Sequence, residues 1–145
     1  MITGAGTGYL PWFPGTAASL LAVPLSLGLN WTSKVSFYLS FLLLIASAAI
    51  ATWLCQKGEE IFHEKDCQRI VIDEIAGFLV ANFLSPPEFK PTVAALVLFR
   101  FFDITKIFPA GLAERLEGGA GVILDDLIAG LYAFLTLRLL LFIGL

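Results

Sequence analysis

Long apolar blocks alternate with short polar segments along this chain, and the blocks predict helices. Residues 35–54 contain no charged side chain, so this block is long enough to cross a membrane as one helix. Four further apolar blocks cover about residues 16–29, 70–84, 92–102 and 122–145. Pro24 predicts that the first of these is short or kinked. The pattern therefore predicts an all-α, multihelical, membrane-associated bundle of about four to six helices, with one clear transmembrane helix at residues 35–54.

The polar segments predict how the bundle is oriented. Residues 1–16 are rich in Gly and Pro and predict a loop, residues 30–34 predict a polar turn, and residues 56–69 form the most charged loop. If the helices alternate in direction, 1–16, 55–70 and 100–121 share one side of the membrane, opposite 30–34 and 85–91. Six Lys and Arg residues lie on the first side and two on the second. The excess of positive charge places the first side in the cytoplasm.

The composition is typical of a membrane protein and argues against nucleic acid as a binding partner. Hydrophobic residues make up 58% of the chain, the mean hydropathy is +0.86, and charged residues reach only 14%. Soluble domains average roughly 25% charged residues. A length of 145 residues predicts a single domain over 1–145, and a net charge of −3 disfavours nucleic acid. Cys55 and Cys67 lack the paired spacing of a zinc site and fit a reduced compartment, although a disulfide between them stays open.

Two pairs of acidic residues interrupt apolar segments. Asp73-Glu74 and Asp125-Asp126 would each be costly in an apolar setting unless paired or bound to a metal. Gly77 follows Asp73 by four residues, just as Gly130 follows Asp126. A glycine one helical turn after a carboxylate lets another helix or a ligand approach closely. The alternative interpretation is that the acids favour helix N-termini and the glycines only serve packing.

The stretch from Phe99 to Gly130 concentrates the remaining candidate chemistry. On a helix, Arg100, Asp103 and Lys106 would lie along one side in the order base, acid, base. Carboxylates can hold a divalent metal, while the cations meet phosphate oxygens. The turn containing Gly118, Gly119 and Gly121 could present backbone N–H groups to a phosphate, or it could be a flexible turn. A salt-bridged helix end followed by a capped helix is the alternative to a site.

Several phosphatase chemistries do not fit the sequence. A cysteine phosphatase needs an Arg six positions after its Cys, but Ile61 and Asp73 stand at those positions after Cys55 and Cys67. A phosphoaspartate enzyme of the Asp-x-Asp type is excluded at Asp103, which is followed two positions later by Thr105. His63 is the single histidine, too few for a histidine-based lipid phosphatase. Metal-and-carboxylate chemistry is what remains.

Five motifs in one order resemble the phosphatidylglycerophosphatase A family. They are Tyr9-Leu10-Pro11-Trp12-Phe13-Pro14-Gly15-Thr16, Lys65-Asp66, Ile70-Val71-Ile72-Asp73-Glu74-Ile75-Ala76-Gly77, Phe99-Arg100-Phe101-Phe102-Asp103-Ile104-Thr105-Lys106 and Gly118-Gly119-Ala120-Gly121-Val122-Ile123-Leu124-Asp125-Asp126. The resemblance covers nearly the whole chain. The chain departs from the family pattern at Ala18, Cys67 and Ile107, and none of these departures removes a charged group.

The resemblance implies a bacterial, Mg²⁺-dependent lipid phosphatase that converts phosphatidylglycerophosphate to phosphatidylglycerol. It implies a phospholipid substrate and leaves the oligomeric state open. Together with the distribution of Lys and Arg, it predicts an active site on the cytoplasmic face of the inner membrane. The expected metal ligands are Asp73, Glu74, Asp103, Asp125 and Asp126. The expected catalytic residues are Asp73, Arg100, Asp103 and Lys106, and the expected substrate-binding residues are Thr16, Gly118, Gly119 and Gly121. Attack by water and a phosphoaspartyl intermediate are both compatible with these residues.

Two other classes of protein remain as alternatives. A small transporter or proton-coupled subunit would also carry carboxylates inside a membrane, but it predicts them near the middle of the bilayer. A non-catalytic membrane scaffold would tolerate the replacement of acids by amides and would not depend on a metal. A phosphotransferase acting on nucleotide-activated lipid head groups is disfavoured, because its longer motif of Asp, Gly, Ala and Arg is absent.

Overall fold

All the regular structure that the described residues form is helical. The computed structural model describes residues 14–62, 71–113, 115–116 and 119–145. These residues form six helices: α1 Pro14–Val35, α2 Phe37–Phe62, α3 Ile72–Ala81, α4 Phe89–Thr105, α5 Ala110–Ala113 and α6 Gly119–Ile143. The predicted all-α fold and the predicted number of helices are therefore confirmed.

The short helix α3 lies at the centre of the bundle. It packs against α1, α2, α4 and α6, and seven of its ten residues are buried. A helix that is apolar on nearly every side belongs in an interior, which explains why α3 can be short and still be stable. Phe78 of α3 and Phe99 of α4 are fully buried and meet edge to face, with ring centroids 6.4 Å apart.

Two helices are long and apolar enough to cross a membrane. These candidate spans are Phe37–Gly58 in α2 and Ile123–Ile143 in α6, and less than a third of either span is fully buried inside the bundle. The span in α2 agrees with the transmembrane helix predicted at residues 35–54. The span in α6 was less evident from the sequence because Asp125, Asp126 and Arg138 interrupt it. Together the two helices make the protein membrane-associated.

The structure corrects two predicted boundaries in the first half of the chain. Residues 30–34 do not form a turn, and Pro24 does not shorten the helix, because α1 continues through both to Val35. The polar side chains there are satisfied without leaving the helix: the Thr32 and Ser33 hydroxyls donate to backbone carbonyls three residues earlier. The charged loop also begins later than predicted, because α2 extends to Phe62.

Candidate active site

Three helix segments meet at one end of the bundle and bring the predicted acidic and basic residues together. The first turn of α3 carries Asp73 and Glu74, and the last turns of α4 carry Arg100 and Asp103. The second turn of α6 carries Asp125 and Asp126. Asp73, Asp125 and Asp126 are at most 9% exposed. Residues separated by up to 53 positions in the sequence thus form one buried polar cluster, which we call the acidic cluster.

A contact between two glycines sets the distance between α3 and α6. A Cβ atom built on Gly77 would lie 2.7 Å from the Asp126 carbonyl oxygen and 2.6 Å from the Phe99 ring. A Cβ atom on Gly130 would collide with the Gly77 carbonyl oxygen. The two glycines therefore let the backbones touch, as small residues do between membrane helices. Each lies four residues after its aspartate, so the contact holds Asp73 and Asp126 at the same level.

Two cations bridge the helices within the acidic cluster. The Nη1 atom of Arg100 lies 3.0 Å from Glu74 Oε2 and 2.9 Å from Asp103 Oδ2, which ties α4 to α3. The Nζ atom of Lys106 lies 3.1 Å from Asp125 Oδ2 and reaches α6. Of the five charged groups in these pairs, all except Lys106 are less than a quarter exposed. The pairs are therefore better shielded from water than ordinary surface salt bridges.

Lys106 does not continue the helical stripe that the sequence predicted. The helix α4 ends at Thr105, and Lys106 follows it as a left-handed C-cap residue with φ 45°. Its backbone N–H still donates to the Phe102 carbonyl oxygen. The left-handed turn changes the direction of the chain, and the Lys106 side chain pairs with Asp125 on α6. A helical extrapolation could not show this, since αL residues other than Gly are uncommon.

Negative charge exceeds positive charge in the acidic cluster. Five carboxylate side chains face two cationic side chains among the described residues: Asp73, Glu74, Asp103, Asp125 and Asp126 against Arg100 and Lys106. Asp73, Asp103 and Asp125 all act electrostatically on Asp126, and the Asp103 side chain lies within hydrogen-bonding reach of it. Buried carboxylates so close together need a proton or a cation between them. The donor set, hard oxygen atoms with excess negative charge, is the one that Mg²⁺ prefers.

The present arrangement of the acidic cluster is not a finished metal site. Among the described residues, no three His, Cys, Asp or Glu side chains already surround a common point. Arg100 engages Glu74 and Asp103, and Lys106 engages Asp125, so three of the five carboxylates point toward a cation of the protein. The residues fit a divalent ion by the chemistry of their oxygen donors.

The predicted substrate-binding residues are only partly covered by the structure. Thr16 lies in the first turn of α1, and Gly119 begins α6. The surroundings of these two residues lie outside what the structure describes. Gly118 lies outside the described residues. Gly121 is buried, and a Cβ atom there would lie 2.8 Å from the Leu116 carbonyl carbon. Close packing against Leu116 explains why a glycine is needed there, and its role toward a phosphate stays a prediction.

Sequence reasoning found the charged residues and missed two of the contacts that position them. Phe99 was included only as part of a motif, yet its fully buried ring packs on Gly77 and supports the contact between α3 and α6. Glu74 was expected only as a metal ligand, and the structure also makes it a partner of Arg100. The spacing of Gly77 and Gly130 after their aspartates predicted the close approach of another helix or a ligand, and the structure shows that it is a helix: α3 and α6 touch at these two residues.

The structure defines a membrane-associated helical protein with a buried cluster of carboxylates and cations. Comparison with known proteins places it among the lipid phosphatases. The model of the family described as phosphatidylglycerophosphatase A matches residues 1–141. The chain belongs to the phosphatidylglycerophosphatase A family. This confirms the resemblance drawn from the five motifs.

Individual relatives cover almost the same length. A protein of Bacteroides thetaiotaomicron, provisionally named a phosphatidylinositol-3-phosphatase, is 34% identical over 93% of this chain and 87% of its own. A phosphatidylglycerophosphatase A of Haemophilus influenzae is 35% identical over 94% of this chain and 83% of its own. The phosphatidylglycerophosphatase A of Escherichia coli is 29% identical over 99% of this chain and 81% of its own. No solved structure matches the chain.

Proposed function

We propose that this protein hydrolyses the terminal phosphate monoester of phosphatidylglycerophosphate in a Mg²⁺-dependent reaction at the cytoplasmic face of a bacterial inner membrane. The observation that carries the proposal is the acidic cluster: five carboxylates and two cations converge at one end of a bundle with two candidate membrane spans. Membership of the phosphatidylglycerophosphatase A family supports the substrate and the reaction. The charge distribution of the loops supports the cytoplasmic orientation.

The carboxylates of the acidic cluster would hold the metal ion. Asp73, Glu74, Asp103, Asp125 and Asp126 are its proposed ligands. When bound, Mg²⁺ supplies positive charge that polarises the phosphate and offsets the charge that develops as the ester bond breaks. Because Asp73 and Asp126 are held at one level by the glycine contact, they are the ligands that the fold fixes most firmly.

Arg100 and Lys106 would bind the phosphate oxygens that the metal leaves free. Both cations now satisfy carboxylates of the protein, at distances of 2.9 to 3.1 Å. A phosphate dianion is a stronger partner, because a guanidinium can donate two parallel hydrogen bonds to it. Binding of the substrate to Arg100 would release Glu74 and Asp103 from their ion pairs. Binding of the phosphate to Arg100 would thereby make the carboxylates of Glu74 and Asp103 available to the metal ion.

The proposed reaction is an in-line displacement by water. A carboxylate of the acidic cluster orients the water and accepts its proton, the water oxygen forms a bond to phosphorus, and the bond from phosphorus to the glycerol oxygen breaks. The leaving oxygen takes up a proton, so phosphatidylglycerol and inorganic phosphate are the products. Asp103 is our candidate for the base, since it lies beside both Arg100 and Asp126.

The acyl chains of the substrate would lie along the apolar helices beside the acidic cluster. A cavity of about 190 Å³ opens between α1, α2 and α3, lined by apolar residues that include Leu25, Ala51, Ile72 and Ala76. Ile72 precedes Asp73 directly, so this cavity lies beside the first turn of α3, which carries two of the proposed metal ligands. A lipid chain in it would bring its headgroup to the acidic cluster without leaving the membrane.

Phosphate release from phosphatidylglycerophosphate by detergent-purified protein tests the proposal. We expect release with Mg²⁺, loss of release with excess chelator, and loss in the Asp103→Asn variant. Glu60→Gln is the matched control, since Glu60 is an exposed acid on α2 that pairs only with Lys57 in the described structure. A folded protein that releases no phosphate from phosphatidylglycerophosphate with Mg²⁺ contradicts the proposal for this substrate, and other phosphate monoesters are then tested before the transporter is considered. Equal turnover by Asp103→Asn and wild type contradicts the proposed site.

A second substrate follows from one relative. The Bacteroides thetaiotaomicron protein carries the name of a phosphatidylinositol-3-phosphatase. Both substrates are phosphate monoesters on a lipid headgroup, so the same carboxylates and cations could serve either. The assay should therefore compare phosphatidylglycerophosphate with phosphatidylinositol 3-phosphate at equal concentration in the same detergent. A higher kcat/KM for the inositol lipid would identify that lipid as the preferred substrate and would leave the proposed active site unchanged.

A further inference from the structure

A basic residue lies deep in α6, far from the acidic cluster. Arg138 follows Asp126 by 12 residues in one continuous helix, which corresponds to about 18 Å. It precedes the end of the candidate span at Ile143 by five residues, or about 7.5 Å. An arginine at this depth can extend its guanidinium toward the headgroups of the nearer leaflet, which is the leaflet opposite the acidic cluster.

The guanidinium of Arg138 is held in place but not neutralised. Its Nη2 atom donates a hydrogen bond to the Phe83 carbonyl oxygen, and its Cζ atom lies 4.9 Å from the centre of the Phe134 ring. Its Nε atom is buried and has no hydrogen-bond partner. No carboxylate of the described residues forms an ion pair with Arg138. A positive charge within a membrane normally has a partner, and here the described chain provides only a carbonyl and an aromatic ring.

An apolar groove lies beside the residues that Arg138 contacts. The groove has a volume of about 320 Å³ and lies between α2, α3 and α6. Its lining residues include Phe37, Phe41, Val80, Phe83, Leu131 and Phe134. Phe83 and Phe134 are also the two residues that Arg138 contacts. Arg138 therefore adjoins the groove through these two shared residues, and the groove and the cation together are the candidate lipid-binding surface.

We propose that this surface binds one anionic phospholipid of the leaflet opposite the acidic cluster. An acyl chain would occupy the groove, and the phosphodiester would accept hydrogen bonds from the free donors of Arg138. Charge complementarity selects the occupant: the groove accommodates hydrocarbon, and the guanidinium favours an acceptor with negative charge. The site differs from the proposed catalytic site in helix end, in leaflet and in the sign of its charge, and it does not depend on phosphatase activity.

The position of the groove agrees with a lipid that stays bound while substrate turns over. The cavity beside Asp73 lies between α1, α2 and α3, whereas the groove beside Arg138 uses α6 in place of α1. Different residues line the two, so a lipid in one leaves the other accessible. The bound lipid would fill the gap between α2 and α6, the two helices proposed to cross the membrane, and so would stabilise their packing.

Native mass spectrometry of the detergent-purified full chain tests the proposal. The probe is dioleoyl phosphatidylglycerol, compared with dioleoyl phosphatidylcholine, which has the same acyl chains and no net charge. We expect one tightly bound phosphatidylglycerol and binding at least about tenfold weaker for phosphatidylcholine. Millimolar inorganic phosphate should not displace the lipid, because the ion makes no use of the groove.

Two variants remove the site in different ways. Arg138→Gln removes the charge, and Leu131→Trp fills the groove from its exposed edge without changing Arg138. We expect each to weaken phosphatidylglycerol binding at least about tenfold. Leu42→Trp is the matched control on the exposed face of α2 outside the groove, and Arg100→Gln is the control for lipid bound at the acidic cluster, because it removes a cation that would hold an anionic headgroup there. Both controls should bind like wild type.

Three outcomes would overturn the proposal. Equal binding of the two lipids by wild type would show that charge plays no part. Wild-type binding by either Arg138→Gln or Leu131→Trp would show that the surface is not the site, and the second variant decides the question even if the first does not fold. Loss of the lipid in Arg100→Gln would place it at the acidic cluster instead. None of these outcomes alters the phosphatase assay, so the two proposals fail independently.

Discussion

The two ends of this bundle bury polar groups of different kinds. At one end, five carboxylates and two cations from three helix segments are crowded together with excess negative charge. At the other end, neutral side chains form a linear network: the Asn30 amide donates to the Asn82 carbonyl oxygen at 2.8 Å, and the Asn82 amide donates to Ser26 Oγ at 2.9 Å. The Ser26 hydroxyl in turn donates to the Val23 carbonyl oxygen.

The difference indicates which end performs chemistry. The neutral network joins α1 to the end of α3 and satisfies most of its own donors, so it resembles a structural connection between helices. Repulsion between the carboxylates of the acidic cluster lowers the stability of the fold. Only a bound cation or proton would offset this repulsion. A fold keeps such an arrangement when function requires it. The comparison predicts that substitutions at one end affect activity and those at the other affect stability.

The largest effect is expected from neutralising a central carboxylate. Asp126→Asn keeps the size of the side chain and removes one negative charge from the most crowded position of the acidic cluster. Phosphatase activity should fall at least about 100-fold, as is usual when a group that stabilises the transition state is lost. Stability should be unchanged or higher, because repulsion is relieved. Phosphate release and unfolding by SDS in mixed micelles measure the two quantities.

A fall in stability would break this part of the comparison. If Asp126→Asn unfolded at lower SDS concentration and kept its activity, the acidic cluster would be structural and the family chemistry would lie elsewhere. Asp73→Asn provides a second test at the other side of the glycine contact, with the same expected signs.

The next largest effect is expected at the contact between α3 and α6. Gly77→Ala would place a methyl group 2.6 Å from the Phe99 ring and 2.7 Å from the Asp126 carbonyl oxygen, so the helices must separate. Overpacking of this kind costs about 3 kcal/mol at its upper range. Activity should fall as well, because Asp73 and Asp126 move apart. Unfolding in mixed micelles and phosphate release should both report the change.

Gly28→Ala on α1 is the matched control for this variant. Nothing lies within 4 Å of a Cβ atom built at Gly28, so the methyl group meets open space. Alanine should stabilise the helix by up to about 1 kcal/mol relative to glycine. If the two variants behaved alike, the change in helix propensity would matter more than the close approach of α3 and α6.

A smaller effect, on stability alone, is expected from the neutral network. Asn82 is fully buried, and Asn82→Ala would leave Ser26 without its donor and create a small void. A lost buried hydrogen bond of this type costs about 2 kcal/mol. Activity per folded molecule should stay at the wild-type level. A drop in kcat without loss of stability would contradict the division of roles between the two ends.

How far the sequence predicts this molecule depends on whether a feature is local. Apolar block lengths predicted the helical class, and the rarity of acids in those blocks indicated Asp73, Glu74, Asp125 and Asp126. The turn predicted at residues 30–34 was wrong because Asn30 finds its partner at Asn82, 52 residues away, and local polarity cannot reveal that partner. Tertiary contacts of this kind override local preference.

The same limit applies to the candidate site. Spacing placed Asp103 beside Arg100 on one helix face, and the structure agrees, with an ion pair of 2.9 Å. Spacing could not show that Arg100 also reaches Glu74 on another helix, or that Lys106 leaves the helix in a left-handed turn to reach Asp125. The roles of these residues in catalysis stay predictions for the assays above.

The smallest effects separate two lysines that both form ion pairs. Lys106→Gln removes a cation that is two-thirds buried and faces Asp125, and we expect phosphatase activity to fall about tenfold, because a charge-assisted contact to phosphate is lost. Lys57→Gln removes a cation that is about half exposed and pairs with Glu60 at 2.7 Å on the surface of α2. The Lys57 pair should contribute no more than about 0.5 kcal/mol to stability and nothing to activity.

The two ion pairs have similar lengths, so distance alone predicts similar effects of the two substitutions. Burial within the acidic cluster predicts different effects. Phosphate release by the two variants at matched protein concentration decides between these, and equal activities would show that the acidic cluster does not use Lys106.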